Sequence, residues 1–432
     1  MQFSNTKVPT YSGTDIDGCL STLEELSQRR VDVLASAAHI RMGLAGDQPT
    51  LYLSEYPEAA RDGVNRGAAD RVVATCQNDT HEFLPTNDFH DQLAEKLGIP
   101  SKYYERMATT APALLARNAN HWLRESSKRH LIRGFKTEDG RIIGRAFLSD
   151  RYRVLDHADL AVTALRAALE ATSGRDLPPP VCFGWSLSER SFDLLLVSPH
   201  ICADLLSDDP MPPDVQQSIV ETVALGGDPA HEVMKVRSEH DQGGRRLIFA
   251  GIRIRNSETG RGGFRVEVVG LDWVCKNRAI RGIEMAQVHL GRALNEELLT
   301  SPETRAKENE VIFMKAADAV RGAFDHETWD KLVDTLRQSR KVRILPITEA
   351  VDAVARREGL TDAVKNGVLA AYRREVADHD TLFDLQNAIT AVARETRNPM
   401  DGAADPDRAE DLEMLAARLT DAPPAELLLS AR

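Results

Sequence analysis

Only 5% of this 432-residue chain is aromatic, and its five cysteines (Cys19, Cys76, Cys182, Cys202, Cys275) are scattered and odd in number. That usage excludes a disulfide framework and fits reduced thiols in a cytoplasm. No run of eighteen apolar residues occurs, so no membrane-spanning helix is expected. The start, MQFSNTKVPTYSGTDIDG, has no charged lead into an apolar core, so no signal peptide is expected. Catalytic signatures are missing as well. There is no Gly-x-x-x-x-Gly-Lys-Ser/Thr phosphate loop, no Gly-x-Gly-x-x-Gly after a strand, no Cys-x-x-Cys and no Gly-x-Ser-x-Gly elbow. His-Glu pairs at His81, His231 and His326 lack the second His of a zinc helix. On these grounds no enzyme activity, cofactor or metal is assigned.

What is present is a chain that is 42% hydrophobic, long enough for two or three domains, and rich in helix formers. A net charge of −12 argues against a polyanionic partner, but the charge is unevenly spread. Residues 124–153 carry nine Lys/Arg against four acids, and residues 245–302 carry ten against six. Between them, residues 154–244 carry five against fifteen.

Both positive segments read as β-hairpins. In the second, Leu247–Arg255 and Phe264–Val269 alternate with period two around a Gly-rich loop, Asn256–Gly263. Ala250, Ile252 and Ile254 share one face, and Gly251, Arg253 and Arg255 the other; Phe264, Val266 and Val268 oppose Arg265 and Glu267. The first pairs 129–135 with 142–148 across Glu138-Asp139-Gly140 and brings Arg133, Arg145, Arg151 and Arg153. Both hairpins are expected in one antiparallel sheet, their arginines on one exposed basic face.

Around them, residues 18–44 read as an amphipathic helix, 45–86 as mixed and loop-rich, and 87–98, 101–107 and 111–126 as three helices. Those three are either a helix-turn-helix reader or an ordinary helical subdomain. Residues 158–172 read as a helix and 181–187 with 192–197 as further strands. Residues 200–244 form an acidic, turn-rich excursion, and the chain is helical from 303 on. The fold class expected is α+β: a hairpin-rich antiparallel sheet with N-terminal helices and a helical C-terminal region. The expected division is 1–86, 87–302 and 303–432.

Three features have two readings each. Cys275, with His240 and His289 near in sequence, is a nucleophile or a core thiol. Asp15-x-Asp17 and Asp405-x-Asp407 are metal-binding pairs or cap residues. Gly260-Arg261-Gly262-Gly263 is a phosphate nest or a hairpin tip.

The stretch IRIRNSETGRGGFRVEVVGLDWVCKNRAIRG resembles the phage- and plasmid-borne family known as domain of unknown function 932. The likeness rests on Asn256-Ser257-Glu258-Thr259-Gly260 between two strands, followed by Val274-Cys275-Lys276-Asn277. LGIPSKYYERM, RAFLSDRYRVLDH and TLFDLQNAIT agree with it, so that it spans roughly 85–395. Lys276 and Arg278 stand where the family often has Thr and Gly. The resemblance implies a role in the upkeep, transfer or protection of mobile DNA.

Together these point to a cytoplasmic protein that binds single-stranded nucleic acid, as a strand-annealing or DNA-maintenance factor and as a homo-oligomer. Arg133, Arg145, Arg151, Arg153, Arg253, Arg255, Arg261, Arg265, Lys276 and Arg278 would meet phosphates, and Trp273 would stack a base. The alternative is a protein-binding module acting on a host defence protein.

Overall fold

A computed structural model describes residues 8–53, 81–152, 155–173, 177–208, 211–238, 246–273, 278–288, 302–375, 380–397 and 405–428. Strand β1 (Tyr11–Gly13) leads into helix α1 (Ile16–Gln28), capped by the Asp15 carboxylate, which accepts from the Gly18 amide at 2.5 Å. The expected helix over 18–44 stops there. β2 (Arg30–Ser36), β3 (Ile40–Ala45) and β4 (Gln48–Leu53) follow, because Val31, Val33 and Ala35 gain ladder partners on a later strand. Tertiary pairing overrides helical spacing there.

After β5 (His81–Pro85) come α2 (Asn87–Lys96), α3 (Ser101–Thr110) and α4 (Pro112–Glu125), close to expectation. The first basic hairpin is β6 (Arg129–Lys136) with β7 (Ile142–Ser149). Then come α5 (His157–Ser173), β8 (Val181–Leu187) and β9 (Phe192–Asp204). The acidic excursion contains two helices, α6 (Pro213–Ala224) and α7 (Ala230–Ser238). The second basic hairpin is β10 (Leu247–Asn256) with β11 (Phe264–Leu271), extended by β12 (Arg278–Val288). Among the described residues six α-helices follow: α8 (Pro302–Ala323), α9 (His326–Lys341), α10 (Ile347–Glu358), α11 (Asp362–Glu375), α12 (Leu382–Arg397) and α13 (Pro406–Asp421).

The architecture is α+β, but with two sheets. The first has the order β1-β8-β9-β10-β11-β12 and the second β2-β6-β7-β5-β4-β3. The two basic hairpins therefore belong to different sheets, against the expectation of one. Nor do the sheets divide at residue 86: β2 pairs with β6, and β1 pairs with β8.

Each sheet has a helical layer. α2, α3 and α4 bury Phe89, Leu93, Tyr104, Met107, Leu115 and Leu123 against the second sheet. On the first sheet, Ile248, Ala250, Ile252 and Ile254 share a core with Leu160, Ala164, Ile312 and Val320, from α5 and α8. The alternate residues Leu247 and Phe249 enter a different cluster with Val197, Ile219 and Trp273. Period-two alternation thus sends β10 into two cores, leaving neither face to water. Residues 344–427 pack around a third core built from Val351, Leu385, Ile389, Leu412 and Leu415.

Candidate functional site

Arg253 and Arg255 lie on the alternate face of β10, beneath α12 and α13. Arg253 has no exposed surface; its guanidinium pairs with Asp193, with Glu413 at 2.8 Å and with Glu267 at 3.8 Å. Arg397 joins from α12, 2.6 Å from Glu413. Arg255 pairs with Glu410 and is buried, and burial beside Arg253 pushes its guanidinium down to about 10. Arg265, half-buried, sets Nη1 3.9 Å from the Met414 sulfur. The exposed basic face expected of this hairpin does not exist. Its partners come from its own second strand at Glu267, from the neighbouring strand β9 and from the far C-terminus.

Arg133 is also buried. It donates to both oxygens of Asp32, at 3.0 and 3.1 Å, and to the Glu258 carbonyl at 2.7 Å. Arg145 lies 3.6 Å from the Glu258 carboxylate. Burial alone would raise the Glu258 carboxyl, but Arg133, Arg145 and the His157 backbone amide hold it far below the usual range.

The Asn-Ser-Glu-Thr-Gly turn is the plug that joins the sheets, and each member has a task. Asn256 donates to the Leu155 carbonyl at 2.9 Å; the Ser257 hydroxyl accepts from the Arg261 amide at 3.2 Å. Glu258 accepts from the His157 amide at 2.8 Å, and the Thr259 carbonyl accepts from Gln92 at 2.6 Å. Gly260 has φ +75°, and a Cβ there would meet the Leu148 side chain at 2.9 Å. Gln92 also accepts from the Phe147 amide at 2.8 Å, which anchors the plug to the second sheet.

Trp273 is buried edge-on against Phe249 and Phe183, with centroids 4.9 and 5.9 Å away, so it presents no face for a base. Arg261 stays at the surface, 3.2 Å from Asp91, and Arg151 is exposed. Arg153, Lys276 and Cys275 lie outside the described residues, and Arg278 is described only through its strand pairing with Leu271. Asp405 caps α13 at the Arg408 amide, as Asp15 caps α1, which favours the cap reading for both pairs. Among the described residues no cluster of three or more His, Cys, Asp or Glu could hold a metal ion.

Two features of the structure were not expected. The first is the outer side of α3 and α4. Residues 101–129 hold six Lys/Arg against two acids. Lys102, Tyr103, Arg106, Arg117, Trp122 and Lys128 are all exposed, Tyr103 and Trp122 each by 47%. Trp122 is held by its indole, which donates to Asn118 at 3.0 Å, and by edge contact with His121 at 4.9 Å. The signal was in the sequence: Lys102, Arg106 and Arg117 recur at positions that the buried stripe of each helix avoids.

The second is a cleft of about 250 Å³ where α2, the β8–β9 turn, the hairpin tip and α13 meet. Arg190, Arg255 and Arg261 line it together with Asp91, Asp407, Glu410 and Asp411. Asp407 accepts from Ser188 at 2.7 Å, and burial raises its carboxyl. Beside the cleft, burial lifts Glu189 to about 7. Compared with family models, with curated proteins and with solved structures, the chain matches none.

Proposed function

We propose that the protein binds single-stranded nucleic acid as a member of the mobile-element family it resembles, and that the strand runs over the outer side of α3 and α4. One observation carries the reading: two exposed aromatic rings stand among exposed cations on an acid-poor helical surface. Arg and Lys neutralise phosphates without regard to sequence. Tyr103 and Trp122 offer flat faces, which a single strand can use because its bases are not stacked in a duplex. Arg133 and Arg253 spend their charge inside the protein, so they are not assigned to the strand. A strand-annealing or DNA-maintenance role belongs to the same proposal.

Gel shifts with single- and double-stranded oligonucleotides over a salt series test it. Single strands should bind more tightly, and Arg106→Ala/Arg117→Ala should flatten the log–log salt slope by about 0.7 per lost contact. Fluorescence gives an independent readout, because Trp185, Trp273 and Trp329 are buried and Trp122 is exposed. Bound oligonucleotide should shield Trp122 from iodide. No binding at low salt sinks the proposal.

A second reading has its own observation. Val162 and Leu169 on α5, and Val311 and Met314 on α8, are exposed on two helices packed side by side. That apolar surface suits a protein partner, and it moves ahead if every oligonucleotide fails.

A further inference from the structure

Helix α13 alters the character of the cleft beneath it. With the helix in place, four carboxylates (Asp91, Asp407, Glu410, Asp411) face three guanidiniums (Arg190, Arg255, Arg261). Three of those carboxylates ride on α13. Without it the cleft would hold the three arginines against Asp91, with Asp88 pairing Arg190 and Arg261 from behind. The hairpin tip adds the backbone of Gly262 and Gly263. Removing one helix turns the cleft from net negative to net positive.

Three observations indicate that α13 can give way. The unit it belongs to is built around its own apolar core. Its contact with β10 is centred on charges, Arg253, Arg255 and Arg397 against Asp193, Glu267, Glu410 and Glu413, with Ala417 and Phe383 as apolar contacts nearby, and it also packs on β12. Polar interfaces of this kind are characteristic of domains that move. Lastly, Arg255 is over nine-tenths buried and lines the cleft, yet its Nε and Nη1 have no hydrogen-bond partner.

We infer that the cleft is a second phosphate subsite for a nucleic-acid backbone, with Arg190, Arg255 and Arg261 as its donors and the acidic side of α13 as the internal competitor that covers it. The inference rests on the nucleic-acid reading but uses a surface separate from α3 and α4. Phosphate enters as Glu410 and Asp411 leave, and no covalent step is involved.

The test uses the full chain and a single-stranded oligonucleotide. Glu410→Gln/Asp411→Asn weakens the competitor, so affinity at low salt should rise roughly tenfold and the salt slope should steepen by about 0.7 per added contact. Adding Arg261→Ala should cancel the gain. Should the double variant fold poorly, wild type supplies its own readout. Met414 packs against Arg265 and Met314 is 60% exposed, so peroxide oxidation of Met414 relative to Met314 should speed up when oligonucleotide saturates the protein. Unchanged affinity and slope, or an unchanged or slower Met414 rate, overturns the competitor while leaving α3 and α4 as the binding surface. A tenfold gain in the variant with no effect of Arg106→Ala/Arg117→Ala keeps the cleft and removes the helical surface instead.

Discussion

The molecule has two arginine-rich regions that look alike when charges are counted and differ in every physical respect. On β10, Arg253 is fully buried among Asp193, Glu267 and Glu413. On α3 and α4, Arg106 and Arg117 are exposed within a stretch that has few acids. The first set fixes how a strand meets a helical layer. The second is available to a partner. A positive charge becomes a binding group only where the fold supplies no acid of its own or where that acid can move away, and counting along the chain does not reveal that.

The sharpest test of this contrast is Arg253→Ala. It strands several buried carboxylates and should cost about 3–5 kcal/mol in urea unfolding, against about 0.5 kcal/mol or less for Arg117→Ala. Equal costs would erase the distinction. Glu258→Gln comes next. It leaves Arg133 and Arg145 short of a counter-charge where the sheets join, and about 3 kcal/mol should be lost. Gly260→Ala attacks the same joint through backbone geometry, from the positive φ and the contact with Leu148, at about 1–3 kcal/mol.

Acid should probe the buried side more gently. Burial lowers His90 to about 3 and His130 and His157 to about 4, so the folded state keeps them neutral. The unfolded chain takes up protons from pH 6.5 downward, and stability should fall from there to about pH 4. Glu189 works in the opposite sense: raised from 4.5 to about 7, it makes ionisation a growing burden as pH climbs through that window. Melting temperatures of His130→Gln should show a shallower acid limb, and Glu189→Gln should gain stability at pH 8 relative to pH 5. An acid limb unchanged by His130→Gln contradicts the first, and no gain in Glu189→Gln at pH 8 over pH 5 contradicts the second. The smallest stability effect should come from Trp122→Ala, within about 0.5 kcal/mol, while oligonucleotide binding weakens by about 1–3 kcal/mol at unchanged salt slope.

Much of the fold was legible. Alternation along Leu247–Asn256 sorts its side chains into two faces, and the structure sends them to two cores. The two hairpins and the helices after residue 300 follow from periodicity. What local pattern could not show was what covers each face, since period two reads the same against water or against helices. The partners of Arg253 lie 60 residues before it and 160 after it, at Asp193 and Glu413. Likewise, Asn256–Gly260 read as a turn, but it is received by Arg133 on the other sheet and by Gln92 on the helix packed against that sheet. Residues 30–36 carry helical spacing but take their strand partner from 129–135, far along the chain, while 40–45 pair locally with 48–53 in a hairpin that the same spacing hides. The surface on α3 and α4 is legible as helix and as charge, but nothing in its local pattern marks it as a place where a strand would bind.

The plug between the sheets also sets an order of events during synthesis. Asp32 and Arg133 can find each other once the first 150 residues have emerged, but Glu258 lies 125 residues beyond Arg133. At about 5–20 residues per second, the second sheet waits roughly 6–25 s with Arg145 lacking the Glu258 carboxylate. β1 waits in the same way for β8, its partner at Leu187. A nascent chain of this protein therefore carries an unfinished, charged sheet face through more than a quarter of its translation. Sealing of that face is timed by the arrival of one short turn.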